Sequence, residues 1–306
     1  MYLAHQQTSP VELRRVPQQS VGWRLASRGR VRTLVLGGGT LLGRREWTER
    51  LERAMDVLRP DRVVTLGVGV EEPEFALTKG LITENELQRQ VSLLQRFDRI
   101  GVRGPRSVAS LASLGVNAEV LGDPALALAV PDAQRSGSRP TVLLSLAHVS
   151  NGYAKDAQEM RRRVAAASAQ VAADNGSQLV GLAMEPQDRL VLREAMPDAE
   201  IVVPRSVPQA LAVIADADLV IGERLHANIL AAAMRTKFVA IGYKPKTFDF
   251  VESLGGVGCV VDSRAVEIDD LHDKAMAVLD SSNETVAARV GELAARFHEA
   301  ARKELG

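Results

Sequence analysis

The chain has 306 residues, about the length of two average domains, and 46% of them are apolar, an ordinary fraction for a globular protein. Its 38 Lys and Arg balance 38 Asp and Glu, so no overall field favours nucleic acid, and no nucleic-acid partner is expected. Cys259 is the single cysteine, which excludes an internal disulfide and a cysteine-built zinc site and fits a reducing, cytoplasmic compartment. The segment Met1–Gln7 lacks a basic start followed by an apolar core, and no run approaches the roughly 18 apolar residues that span a bilayer.

Short apolar runs alternate with helical patterns along the chain. In the first half, strands are expected at Thr33–Leu36, Val63–Gly67, Arg99–Val102 and Ala118–Leu121, with helices around Glu46–Leu58, Glu84–Phe97 and Arg106–Leu114. This is the rhythm of a parallel sheet. Pro131 to Pro140, rich in Pro, Gly and Ser and without a large apolar residue, reads as a linker, leaving an N-terminal domain over 1–130 and a C-terminal domain over 141–306. The second series has strands at Val142–Leu146, Gln178–Leu182, Ile201–Val203, Leu219–Ile221, Phe238–Ile241 and Cys259–Val261. Helices are expected around Asp156–Ala173, Asp188–Ala195, Val207–Ala215, His226–Met234 and Thr247–Leu254. Asp269–Glu304 reads as helix that caps the chain or folds back across the cleft. The expected fold is α/β, two Rossmann-like doubly wound domains facing a cleft, with ligands at the carboxyl ends of the strands.

Several motifs sit at those strand ends. Leu36-Gly-Gly-Gly-Thr-Leu-Leu42 is a strand running into three glycines; a loop of this kind either cradles an anion before a helix or allows tight backbone packing. Gly67-Val-Gly-Val70 is a similar turn. Arg103 closes the third strand, where its guanidinium either grips a carboxylate or phosphate or pairs with a neighbouring acid. The strand Leu219–Ile221 delivers Glu223, Arg224 and His226 to a strand-to-helix corner; the histidine is either a proton-transfer group or a helix cap. After the next strand, Lys244 and Lys246 reach the same edge.

Taken in order, Leu36-Gly-Gly-Gly-Thr-Leu-Leu42, Gly67-Val-Gly69, Val102-Arg-Gly-Pro-Arg-Ser107, Gly122-Asp-Pro-Ala-Leu126, Ala217-Asp-Leu-Val-Ile-Gly-Glu-Arg-Leu-His-Ala227 and the Tyr243/Lys246 element make the chain resemble the polysaccharide pyruvyl transferases over about residues 33–255. The resemblance implies a fold like that of the GT-B glycosyltransferases and phosphoenolpyruvate as donor. It also implies transfer of the pyruvyl unit as a ketal to a sugar of a cell-surface polysaccharide or its lipid-linked precursor. By motif position it implies donor binding by Arg103, Arg224, Leu225, Lys246, Gly38 and Gly39, and catalysis by His226. The family's opening Asn-x-Gly-Asp turn is not found between Met1 and Arg32, so the first βα unit is expected to be degenerate or missing. Glu223 stands where a small or neutral polar residue is expected, and it is read as orienting His226 or pairing with Arg224.

The chemistry suits these residue types. Phosphoenolpyruvate carries a carboxylate and a phosphate, so fixed cations must replace its water, and a group titrating near neutrality must shuttle protons to C3 and from the sugar hydroxyls. No metal and no further cofactor is called for. The alternatives are a sugar-nucleotide glycosyltransferase of the same architecture and a non-catalytic binding protein. Between Leu13 and Arg45 lie eight arginines (14, 15, 24, 28, 30, 32, 44 and 45), Trp23 and no acidic residue. This stretch reads as a solvated arm or as a peripheral contact with the anionic inner leaflet.

Overall fold

A computed structural model describes residues 31–129, 139–148 and 154–305. Met1–Arg30 of the basic arm and 131–138 of the expected linker lie outside the described residues. The chain divides into two compact units: residues up to Ala127 together with those from Leu293 onward, and Leu128 to Glu292. Among the described residues no helix is long and apolar enough to cross a membrane.

The first unit is organised around β3 (Arg62–Val70), whose residues from Val63 onward are all buried, as expected for a strand covered on both faces. Its parallel neighbours are β1 (Thr33–Gly37) and β2 (Thr40–Leu42) on one side and β4 (Arg99–Val102) on the other, with β5 (Glu119–Val120) beyond β4. The helices are α1 (Arg45–Leu58), α2 (Pro73–Thr78), α3 (Glu84–Leu94) and α4 (Pro105–Ala112). The short β2 and α2 escape the sequence pattern because neither is long enough to show a period. Gly67-Val-Gly-Val70 is not a turn: it lies inside β3, where Gly67 has φ +67° and the pairing to β4 shifts register. A Cβ on Gly67 would lie 2.4 Å from the carbonyl oxygen of Gly122, so the bulge requires glycine.

The second unit is a six-stranded parallel sheet in the order β11-β10-β9-β6-β7-β8. Its strands are β6 (Thr141–Ser145), β7 (Gln178–Leu182), β8 (Glu200–Val202), β9 (Leu219–Gly222), β10 (Lys237–Gly242) and β11 (Val260–Asp262). Between them run α5 (Ala157–Asp174), α6 (Asp188–Ala195), α7 (Val207–Ala215), α8 (Leu225–Ala233) and α9 (Pro245–Ser253), and α10 (Ile268–Asp280) follows β11. Because α8 has four alanines among its nine residues, with Leu225, Ile229 and Leu230, it is buried almost throughout and packs close to the sheet. The chain is thus α/β with two Rossmann-like units.

The helical stretch expected over Asp269–Glu304 is divided into two helices, α10 and α11 (Glu284–Leu305), because Ser281 is extended (ψ 156°) and the Ser282 hydroxyl accepts the Glu284 N–H at 3.2 Å. The expected C-terminal domain also ends early. From Leu293 the last turns of α11 belong to the first unit, where Phe297, Ala300 and Ala301 cover Val64, Leu66 and Leu121. Glu304 lies 2.8 Å from Arg62 and 3.4 Å from Arg99, fixing the end of the helix to two strands. Phe297 is 2% exposed, so Phe297→Ala should lower the unfolding free energy by about 3 kcal/mol or more, measured by urea denaturation.

Candidate functional site

In the second unit the chain winds from β6 out to β8, then returns to the other side of β6 at β9 and continues to β11. The direction reverses between β6 and β9, and such a reversal leaves a crevice at the carboxyl ends of the two strands. Ser145 and Gly222 are register partners there, and the Glu223 N–H donates to the Ser145 carbonyl at 2.7 Å.

Glu223 does not pair with Arg224. Its carboxylate is fully buried and accepts from the Nε and Nη2 of Arg161 on α5 at 2.9 and 3.0 Å and from the Ala147 N–H at 2.9 Å. Arg224 pairs instead with Asp188 at the start of α6, through Nε at 2.8 Å and Nη2 at 2.5 Å. Asp188 is also fully buried and takes the N–H groups of His148 (2.8 Å) and Glu185 (3.0 Å). Burial pulls the Arg224 pKa down, but the hydrogen bond and charge of Asp188, joined by Tyr243 and Glu185, hold it above the ordinary arginine value. The bidentate bond occupies one edge of the guanidinium. The edge formed by Nη1 and the second Nη2 hydrogen remains able to grip an anion.

Leu225 is 4% exposed and packs inward as the first residue of α8, whereas His226 is exposed on the same turn. On the neighbouring strand β10, which pairs with β9 through Ala240 and Gly222, the chain ends in Tyr243, Lys244 and Lys246 at the start of α9. Tyr243 is 2% exposed, and the Nζ atoms of Lys246 and Lys244 lie 5.2 and 5.7 Å from its ring centroid. The structure therefore brings Arg224, His226 and Lys246 to adjacent strand ends.

Gly38, Gly39 and Arg103 belong to the first unit. The glycines do not open a helix: β1 and β2 both pair with the same side of β3, and Gly38 and Gly39, with φ near +67° and +69°, kink one interrupted strand line. The Gly38 N–H donates to Leu66 at 3.4 Å, and the Gly39 carbonyl accepts from Gly69 at 2.7 Å. Arg103 is 0% exposed rather than open to a crevice. Its Nε donates to Asp123 at 2.7 Å, its guanidinium packs over Gly69 beside Thr40, and its Nη1 is a buried donor with no hydrogen-bond partner.

Sequence reasoning missed Asp123, Arg161, Asp188 and His148. Asp123 lies in the quoted Gly122-Asp-Pro motif, and Asp188 at a helix start, but an acid at a helix start reads first as a capping residue. Two arginines of the basic stretch are engaged inside the first unit, Arg44 with Glu71 at 2.7 Å and Arg45 with Glu49 and Glu86 at 3.2 and 3.0 Å. Arg32 is exposed, while Arg14, Arg15, Arg24, Arg28, Arg30 and Trp23 lie outside the described residues. Among the described residues no three His, Cys, Asp or Glu side chains gather to hold a metal ion.

The family model for polysaccharide pyruvyl transferase matches residues 15–245. None of the curated proteins matches the chain. Among solved structures, the fold is similar to Staphylococcus aureus MnaA solved with UDP (14% identity, 87% of this chain and 71% of that one, TM-score 0.57). It is also similar to α,α-trehalose 6-phosphate synthase from Burkholderia multivorans (13% identity, 90% and 69%, TM-score 0.54). A third is UDP-GlcNAc 2-epimerase from Methanocaldococcus jannaschii (13% identity, 81% and 80%, TM-score 0.51). At these identities the likeness is one of fold, GT-B-like.

The buried carboxylates separate structural from surface charge. Glu223→Ala takes from Arg161, 11% exposed, the buried carboxylate that it grips through two bonds and should cost about 3–5 kcal/mol. Arg45→Ala, whose side chain is 66% exposed, should cost less than about 1 kcal/mol in the same denaturation experiment.

Proposed function

The chain belongs to the polysaccharide pyruvyl transferase family, and from that membership we propose that it transfers the pyruvyl unit of phosphoenolpyruvate to a sugar hydroxyl pair as a ketal. The acceptor is a sugar of a cell-surface polysaccharide or its lipid-linked precursor. The single observation that carries this reading is the convergence of Arg224, His226 and Lys246 on the carboxyl ends of the paired strands β9 and β10. Arg224 is held by Asp188 with one edge still available, which suits a carboxylate or phosphate of the donor. Lys246 supplies a second cation, and the N-terminus of α8 adds a partial positive charge.

The reaction moves two protons from the sugar hydroxyls, one to C3 and one to phosphate, in four give-and-take events. C3 of the alkene gains one as C2 becomes electron-poor, each of two sugar hydroxyls loses one as its oxygen bonds to C2, and the departing phosphate takes one. His226, exposed at the start of α8, is the group proposed to give and take these protons in turn. Arg103 and the glycines Gly38 and Gly39 are proposed as donor-side residues by motif position alone. For Arg103 the contact rests on its unpartnered Nη1, since Nε is committed to Asp123.

A second reading, a sugar-nucleotide glycosyltransferase, is favoured by the solved structures of similar fold whose names carry UDP or a UDP-sugar. Incubation with labelled phosphoenolpyruvate or labelled nucleotide sugar and a panel of glycosides distinguishes the two by which label enters product. Turnover of neither with retained donor binding would mark a binding protein.

In the pyruvyl transferase reading, His226→Ala should lower turnover by about 10²–10⁴-fold while calorimetric affinity for phosphoenolpyruvate is retained. Arg224→Lys should weaken that affinity, because an ammonium cannot hold Asp188 and the donor through two opposed edges. The arginines before Val31 are proposed to hold the protein reversibly on an anionic inner leaflet, each contributing on the order of 1 kcal/mol near the surface. Sedimentation with anionic and neutral vesicles should show binding that salt abolishes and that deletion of residues 1–30 removes; equal partitioning of both chains would end that role.

A further inference from the structure

Eight of the nine residues of α8 are buried, and Asn228, 0% exposed, is the one among them with a polar side chain. A buried carboxamide costs free energy wherever it is not hydrogen-bonded, and here only its nitrogen is bonded: the Asn228 Oδ1 has no partner. An apolar residue would fill the position at less cost, so packing alone does not call for asparagine.

The nitrogen reaches back across the strand-to-helix corner. Asn228 Nδ2 donates to the Gly222 carbonyl at 2.9 Å and, more loosely, to the Arg224 carbonyl at 3.4 Å. The last residue of β9 and the N-cap of α8 are thereby tied to a point one turn inside the helix. Arg224, whose side chain is turned to Asp188, makes no capping bond of its own to α8. Its carbonyl is held by the Ala227 N–H at 3.0 Å and by the Asn228 carboxamide.

Gly222 makes the seat for that carboxamide. A Cβ there would lie 2.9 Å from the Asn228 Cγ and closer still to its Oδ1, so only glycine lets the amide lie on the strand end. The neighbouring corner has the same arrangement with an apolar group, since a Cβ on Gly242 would collide with the Phe248 ring of α9. Packing a helix side chain against a strand-end glycine therefore needs no amide. What the amide adds at the β9–α8 corner is direction, because hydrogen bonds depend on angle and dispersion contacts do not.

We propose that Asn228 is a positioning residue of the donor site: seated on Gly222, it fixes the main chain of Arg224 while Asp188 fixes the side chain, and together they aim the available guanidinium edge. This rests on the pyruvyl transferase reading, in which that edge grips the donor.

The test uses the full chain, with thermal unfolding to show that each variant folds. Asn228→Leu keeps the branched shape and removes the hydrogen bonds. It should weaken calorimetric affinity for phosphoenolpyruvate about tenfold and speed hydrogen exchange of the Arg224 Nε–H, read by NMR. In an Arg224→Lys background the same change should weaken affinity less than about twofold, because its effect passes through the guanidinium. Gly222→Ala, which displaces the carboxamide, should reproduce Asn228→Leu and should add little to Asn228→Ala, where the space is open. In turnover, Asn228→Leu should raise the phosphoenolpyruvate KM more than it lowers kcat. Unchanged exchange in a folded Asn228→Leu protein, or unchanged affinity where the wild type binds, overturns the proposal. An equal loss in the Arg224→Lys background also overturns it, by marking a merely structural residue. Additive losses from Gly222→Ala and Asn228→Ala overturn the part given to the seat. A wild type that binds no phosphoenolpyruvate, with Nε–H exchange still set by Asn228, overturns the reaction reading and leaves the positioning role standing; pyruvyl transfer that is indifferent to Asn228 does the reverse.

Discussion

The pairing of β6 with β9 is the constraint on which the second unit depends. Residues 142–145 lie against 219–222 in parallel register, although about 77 positions separate them in the chain. Thr141 and Asp218 clamp the entry: the Thr141 N–H donates to the Asp218 carboxylate at 2.7 Å, and the Asp218 N–H donates to the Thr141 carbonyl at 2.8 Å. At the exit the Glu223 N–H closes on Ser145. Parallel strands need crossovers that return the chain to the same end, so every βα corner of the unit opens at one edge. The reversal of winding at this pair then keeps helices from covering that edge between β6 and β9, and Arg224 and His226 emerge there.

Buried carboxylates decide how the arginines stand. Asp123, Asp188 and Glu223 are each at most 3% exposed, and each holds a guanidinium. A carboxylate removed from water must be paired and hydrogen-bonded, and Asp188 and Glu223 also accept backbone N–H groups from the loop after β6. That loop, α5, α6 and the β9–α8 corner are thereby tied through two acids, which fixes the direction of Arg224 before any ligand arrives. Preorganisation of this kind spares a binding site the entropy of ordering a long side chain.

The strands were legible because parallel strands buried on both faces read as unbroken apolar runs. Arg99–Val102 and Gln178–Leu182 have the expected limits, as do the helices Asp188–Ala195 and Val207–Ala215. Corner residues such as Arg224 and His226 were legible for the same reason, since a charged cluster directly after a buried strand can only sit at its end. The glycine motif was half legible: positive φ and close approach follow from the residue type, but whether the chain then enters a helix or resumes the same strand depends on β3. The terminal helix shows the other limit, because a break at Ser281 and a docking surface on β3 and Leu121 carry no periodic signal.

By itself the sequence determined the class of the fold, the order of its elements and the residue types at the strand ends, all of which follow from local periodicity and from the parallel-sheet rule. Tertiary structure decided which charges meet. Arg161 finds Glu223 across 62 residues, Arg224 finds Asp188 across 36, and Arg103 finds Asp123 across 20. Those choices depend on strand order and register, which are set by burial over the whole sheet and leave no mark in any short window of the chain.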